Sequence, residues 1–342
     1  MKSLFLLFAF FFVLEAVVVQ VPLVKRSMGA TQLAKRAKFL PLAHHPKGRA
    51  VQAKTPGRLV TFEYTNDFFT TNITLGTPAK TFTVVVDQTD YQFWVLDQAY
   101  FGEHTTQHFY NANDSSTSKV VDTSYYSDYI GGVAQGFTIQ DSFSLQGLKV
   151  DGQTFGSVTY LQQDEDVEIS VDGILGLTGS DWGFDSPLGN LIDQLDAPLY
   201  TIWIGPHVPP SQGTIQGALT LGGFDNEHCG PVAVQVAEYE RTGTYVFNIS
   251  QVDIGSYSRA VDFNAFQDVS LPFLGIPYTE YWELYLDLLP NYDYTYNQFT
   301  CTLVLTTYDD DSFWLGVPFT TSFCAQVDIW AHAVGFAPVK AQ

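Results

Sequence analysis

Two apolar runs in this chain, FTVVVDQTDYQFWV and FNAFQDVSLPFLGI, each drive a carboxylate toward the interior, with Asp87 five residues after Phe82 and Asp268 five after Phe263. Aspartate is among the residue types least often fully buried without a partner. A chain that buries one in each half is therefore expected to bring the two face to face across an interface. The chemistry open to such a pair is a shared-proton dyad.

At 342 residues the chain exceeds the usual range of a single core, so two lobes are expected. Aromatic residues make up 15% and charged residues only 15%, and Thr and Val are abundant, which predicts a mainly β fold, all-β in class with short helices. Residues 62–95 alternate apolar and polar with one break at Gly76-Thr77-Pro78, the pattern of a hairpin feeding the Asp87 loop. Strand patterning continues over 129–143, 154–161 and 199–204. Residues 187–195 predict a short helix capped by Ser186, with Leu188, Leu191, Ile192 and Leu195 on one face. The second half repeats the scheme, with strands at 218–222 and 244–254 before Asp268, and a helix at 277–289 presenting Tyr281, Leu284, Tyr285 and Leu288.

Each half also has a later apolar stretch ending in glycine, Ile174-Leu175-Gly176 and Trp314-Leu315-Gly316, where a bare Cα lets another backbone pass close. The spacing from aspartate to glycine is 89 positions in the first half and 48 in the second, so the second lobe is short.

The net charge of −20 conceals an asymmetry. Residues 1–58 hold ten of the sixteen Lys and Arg and one acid, Glu15, whereas the remainder carries 35 acids and 6 bases. An acidic body of this kind repels phosphates, which argues against nucleic acid as a partner. It would lose much of its charge near pH 4, which suits an acidic lumen. Residues 1–16 read as a secretory signal peptide, with Lys2 followed by an apolar run over 4–14, and no membrane association is expected after its removal. Residues 17–58 read as a removable basic prosegment, containing Lys25, Arg26, Lys35, Arg36, Lys38, Lys47 and Arg49. The expected location is outside the cell or in a lysosomal or other acidic lumen. Three cysteines allow at most one internal disulfide; Cys229 with Cys324 is the candidate, and Cys301 is then odd. Asn72, Asn113 and Asn248 head glycosylation sequons. No His, Cys and acid grouping shows metal-ligand spacing, and neither a G-x-S-x-G elbow nor a glycine-rich phosphate loop occurs.

The blocks NITLGTPAKTFTVVVD (72–87), VDGILGL (171–177), TLGGFD (220–225), WLGVPF (314–319) and VGFAP (334–338) follow in an order that resembles the pepsin-like aspartic peptidases, particularly their nematode branch. The resemblance implies a bilobal β fold with an N-terminal lobe over 59–205 and a shortened C-terminal lobe over 206–342. It implies catalytic positions at Asp87 and Asp268, and a flap hairpin carrying Tyr129, Gly131 and Gly132. It also implies a polypeptide substrate or ligand, a monomer, and neither cofactor nor metal. VQVPLVKR (19–26) is similar to the family's prosegment.

The family's Asp-Thr-Gly motif appears here as Asp87-Gln88-Thr89 and Asp268-Val269-Ser270. Both glycines are replaced, so the Cβ atoms of Thr89 and Ser270 are expected to crowd or rotate the loops that aim the carboxylates. Gln88 and Val269 stand where the resemblance implies threonines that lock the loops together. Asp90 adds a third acid beside the site. Two readings stay open: an acid endopeptidase of weak activity, or an inactive homologue whose cleft captures peptides or another secreted ligand.

Overall fold

A computed structural model describes residues 19–22, 69–100, 108–129, 132–163, 171–178, 185–205, 217–237, 245–254, 257–269, 274–277, 305–308 and 312–340. In chain order the strands of the first half are β1 (Val19–Pro22), β2 (Thr70–Leu75), β3 (Lys80–Asp87), β4 (Phe93–Leu96), β5 (Lys119–Tyr129), β6 (Gly132–Leu145), β7 (Leu148–Gln163), β8 (Gly173–Gly176) and β9 (Leu199–Ile204). Those of the second half are β10 (Gly217–Leu221), β11 (Val234–Ala237), β12 (Phe247–Ile254), β13 (Tyr257–Gln267), β14 (Leu274–Pro277), β15 (Leu305–Tyr308), β16 (Ser312–Leu315), β17 (Phe323–Asp328) and β18 (Ala333–Pro338). Two short α-helices, α1 (Pro187–Leu191) and α2 (Val317–Thr320), and 3₁₀ turns at Ala112–Asp114 and Ile192–Gln194 complete the described elements of a mainly β fold.

The strands form three sheets. A seven-stranded sheet has the order β2-β3-β8-β4-β7-β6-β5, and a five-stranded sheet the order β12-β13-β16-β14-β15. A six-stranded sheet, β1-β10-β9-β17-β18-β11, draws on both ends of the chain. Its edge is β1, from the basic N-terminal segment, paired antiparallel with β10 from Val19 opposite Leu221 to Pro22 opposite Ala218.

The hairpin read from 62–95 is β2 and β3, paired from Thr70 opposite Val85 to Leu75 opposite Lys80. Along β3 the apolar residues Phe82, Val84, Val85 and Val86 are all buried, because both faces of the strand are covered. The helix expected over 187–195 forms as α1 followed by a 3₁₀ turn at Ile192–Gln194. Ser186 caps it, accepting from the Gly189 N–H at 3.4 Å, and Leu188, Leu191 and Ile192 are buried. Pro277 ends β14, and the rest of the helix expected at 277–289 lies outside the described residues. Cys229 and Cys324 form a disulfide with Cα atoms 6.0 Å apart; Cys301 lies outside the described residues. The sequon asparagines Asn72 and Asn113 are exposed, and Asn248 is half-buried, donating to Asp262 Oδ1 at 2.8 Å.

Candidate active site

Each aspartate sits at the end of a strand held in the middle of its sheet. Asp87 is the last residue of β3 and pairs with Gly176 of the parallel strand β8. Asp268 follows β13, whose last residue, Gln267, pairs with Leu315 of the parallel strand β16; the Asp268 N–H donates to the Leu315 carbonyl at 3.2 Å. Both side chains are buried, Asp87 with 5% of its surface exposed and Asp268 with none. Gly176 performs the function expected of it. A Cβ there would lie 2.4 Å from the Asp90 carbonyl oxygen, so only glycine lets the loop after Asp87 fold back across β8.

Two observations bring the loops together. Gln88 Nε2 donates to Gln267 Oε1 at 3.2 Å, a buried bond between the residue after one aspartate and the residue before the other. The alternation of strands places Val85 on the same face as Asp87, and Phe266 on the same face as Asp268. Val85 and Phe266 belong to one buried cluster with Trp94, Tyr129, Val246 and Trp314, which draws on both lobes. Phe266 stacks on Trp314 with ring centroids 4.9 Å apart.

Thr89, where crowding was expected, adopts a different arrangement. It is not among the non-glycine residues with positive φ, which are Gln146, Tyr245 and His332 among the described residues, so its Cβ meets no left-handed strain. Its N–H and its hydroxyl both donate to Asp87 Oδ1, at 2.8 and 2.9 Å. Two donors converging on one oxygen fix the orientation of that carboxyl group. Val269 is fully buried in the core and offers no hydroxyl. Ser270 lies outside the described residues. Asp90 turns back on its own loop, its Oδ1 accepting from the N–H groups of Tyr91 and Gln92. Burial raises the Tyr91 phenol above its ordinary pKa, and the Asp90 charge adds to the rise.

Strands β5 and β6 form a hairpin in which Tyr129 is opposite Gly132, next to the turn. Gly131 lies outside the described residues. Tyr129 is buried and meets Trp94 edge-on, with centroids 5.3 Å apart. Tyr125, on the same face, reaches across Gly156, where a Cβ would stand 2.3 Å from its ring, and its hydroxyl donates to the Phe93 carbonyl at 3.3 Å. Tyr126 is exposed. Of the three tyrosines, Tyr129 alone stands at the tip of the hairpin.

The sequence profile of eukaryotic aspartyl proteases matches residues 68–270. The chain belongs to the eukaryotic aspartyl protease family. Aspartic protease 1 of Caenorhabditis elegans is 33% identical over 291 residues, which is 80% of this chain and 72% of that protein. Aspartic protease 6 of the same organism is 28% identical over 343 residues, 85% and 87% of the two chains. Gastricsin of Oryctolagus cuniculus is 28% identical over 232 residues, 66% and 60% of the two. Within this member of the family, residues that sequence reasoning did not single out tie the site to its surroundings. Gln267 is one; its signal was a polar residue interrupting an apolar run immediately before Asp268. Asp172 is another: although only 2% exposed, it accepts from the Thr83 N–H at 2.7 Å and the His108 N–H at 2.6 Å, fastening β3 beside β8.

Proposed function

We propose that this chain is an acid endopeptidase in which Asp87 and Asp268 act as one unit on a polypeptide. The observation that carries the reading is the Gln88–Gln267 hydrogen bond, which holds the residues flanking the two carboxylates in contact. Two buried carboxylates at close range share a proton, and their titration belongs to the pair. The ionised member takes a proton from a water molecule, whose oxygen adds to the scissile carbonyl carbon. The protonated member gives its proton to the carbonyl oxygen. Collapse of the tetrahedral diol then breaks the C–N bond, and a proton passes from the dyad to the leaving amine. Tyr129, with Gly131 and Gly132, serves as the flap over the bound peptide.

Activity is expected to be low. Val269 replaces a hydroxyl with a methyl, and misplacing a catalytic group by about 1 Å costs on the order of a hundredfold in rate. The same buried Val269 favours a second reading, an inactive homologue that retains peptides or another secreted ligand without turnover. Residues 1–16 act as a signal peptide and 17–58 as a prosegment; the pairing of β1 with β10 supports a segment laid on the body, and the Cys229–Cys324 disulfide supports passage through an oxidising secretory compartment. The mature chain is read as a monomer, and no helix among the described residues is long and apolar enough to cross a membrane.

Digestion of a denatured protein in acid, with and without a statine-type inhibitor and with Asp87→Asn as control, separates the two readings. Inhibitor-sensitive cleavage that Asp87→Asn loses supports the peptidase. No cleavage after removal of residues 17–58 supports the binding protein, and cleavage that the variant retains rejects the dyad as its source.

A further inference from the structure

A second concavity lies at the root of the flap hairpin. It has a volume of about 310 Å³ and three walls: Tyr91, Gln92 and Phe93 after the Asp87 loop; Ser124, Tyr125 and Tyr126 on β5; and Thr138, Thr154 and Phe155 on β6 and β7. Asp185, just before α1, closes the rim. Five of these ten residues are aromatic, Asp185 alone is ionic, and none is basic.

Tyr125 and Tyr129 lie four residues apart on one face of β5, so the pocket opens about 13 Å down the strand from the flap tip. Asp185 is exposed and already positioned, with Oδ2 accepting from the Thr154 N–H at 3.0 Å and Oδ1 from Asn190 Nδ2 at 2.5 Å. A carboxylate has about four lone-pair sites, so it retains acceptor capacity toward the pocket. Behind the aromatic wall, burial raises the phenols of Tyr91 and Tyr125, with the Asp90 charge adding to both. The cavity therefore sets the partly or fully exposed residues Tyr91, Tyr125 and Tyr126 beside the Asp185 carboxylate.

We infer that this pocket binds a guanidinium group, the side chain of an arginine presented on a polypeptide. A planar guanidinium stacks on aromatic rings while its N–H fork meets a carboxylate, a combination that a compact ammonium matches less well. The hydroxyls of Ser124, Thr138 and Thr154 supply acceptors for the remaining donors. The inference rests on the proposed function only in taking the arginine to be carried by the polypeptide bound along the flap.

The test therefore uses an isolated arginine. The full chain is titrated with N-acetyl-arginine methylamide, and in parallel with its neutral isostere N-acetyl-citrulline methylamide, while the ring signals of Tyr125 and Tyr126 are followed by NMR. Saturable shifts are expected with arginine, about fivefold tighter than with citrulline. Asp185→Asn should remove that preference, and Tyr126→Ala, a change at an exposed ring, should weaken arginine binding without unfolding the chain. Equal binding of the two compounds, no saturable shift, or a preference that survives Asp185→Asn overturns the inference. Because no turnover is read, failure of the dyad leaves this result intact, and a silent pocket leaves the dyad reading intact.

Discussion

The first lobe's strands β2-β3-β8-β4-β7 and the second lobe's strands β12-β13-β16-β14-β15 are the same sheet built twice. In each, an antiparallel hairpin (β2 with β3, β12 with β13) leads into the carboxylate. In each, that strand runs parallel to the next (β8 or β16), which pairs antiparallel with its neighbour (β4 or β14), and that neighbour runs parallel to the last. The lobes part company outside this frame. The first continues from β7 into β6 and β5, adding the long hairpin that carries Tyr129, whereas the second has no described strand beyond β15. At the residue after each carboxylate, the first lobe has the hydrogen-bonding Gln88 and the second has Val269, buried in the core. The repeated frame delivers two equivalent acids; among the described residues the flap hairpin belongs to the first lobe.

Equivalence of the two acids predicts the largest effect. Asp87→Asn and Asp268→Asn should each reduce acid proteolysis by on the order of 10²–10⁴-fold, the range of an essential acid–base group. A variant in either lobe that keeps near-normal turnover would break the comparison at its centre.

A difference between the lobes gives the next effect. Asp141, at the root of the flap hairpin, is fully buried and accepts from Tyr110 Oη at 2.6 Å, Thr117 Oγ1 at 2.6 Å, Ser115 Oγ at 3.1 Å and the Ser142 N–H at 2.8 Å. Burial alone would raise its carboxyl, yet these donors hold it below the ordinary carboxylate value. A group depressed on folding stabilises the native state above its unfolded pKa, and that contribution is lost as pH falls through the native value. Asp141→Asn should therefore lower stability at neutral pH by about 2–3 kcal/mol and flatten the loss of stability below about pH 4, as measured by thermal melts across pH.

The smallest effect concerns the junction. The Gln88–Gln267 bond leaves Gln88 Oε1 and Gln267 Nε2 buried without a hydrogen-bond partner among the described residues. Gln88→Leu removes one bond but strands Gln267, so denaturant titration should show a loss of about 1–2 kcal/mol, with a fall in kcat larger than any change in KM if the pair aims the carboxylates.

The frame was legible in the sequence where burial imposed a pattern. The apolar approaches to Asp87 and Asp268 marked the ends of β3 and β13, and 199–204 was read to the residue because β9 is buried on both faces. Strand β5 was not legible: most of its residues from Lys119 to Tyr126 face solvent, so no alternation records them, and Tyr129, taken to open a strand, is the last residue of β5. The pairing of β3 with β8 across some ninety positions, and of Gln88 with Gln267, also left no local trace, since contacts between distant segments impose no periodicity on either.

The central claim, that Asp87 and Asp268 act on one bound group, is tested most directly by the affinity of a statine-type inhibitor across a double-mutant cycle of Asp87→Asn, Asp268→Asn and the pair, a measurement that does not require turnover. The account predicts strong non-additivity, each single variant losing nearly as much affinity as the double. Additive losses, or an inhibitor indifferent to both substitutions, would mean that the two acids do not share a ligand.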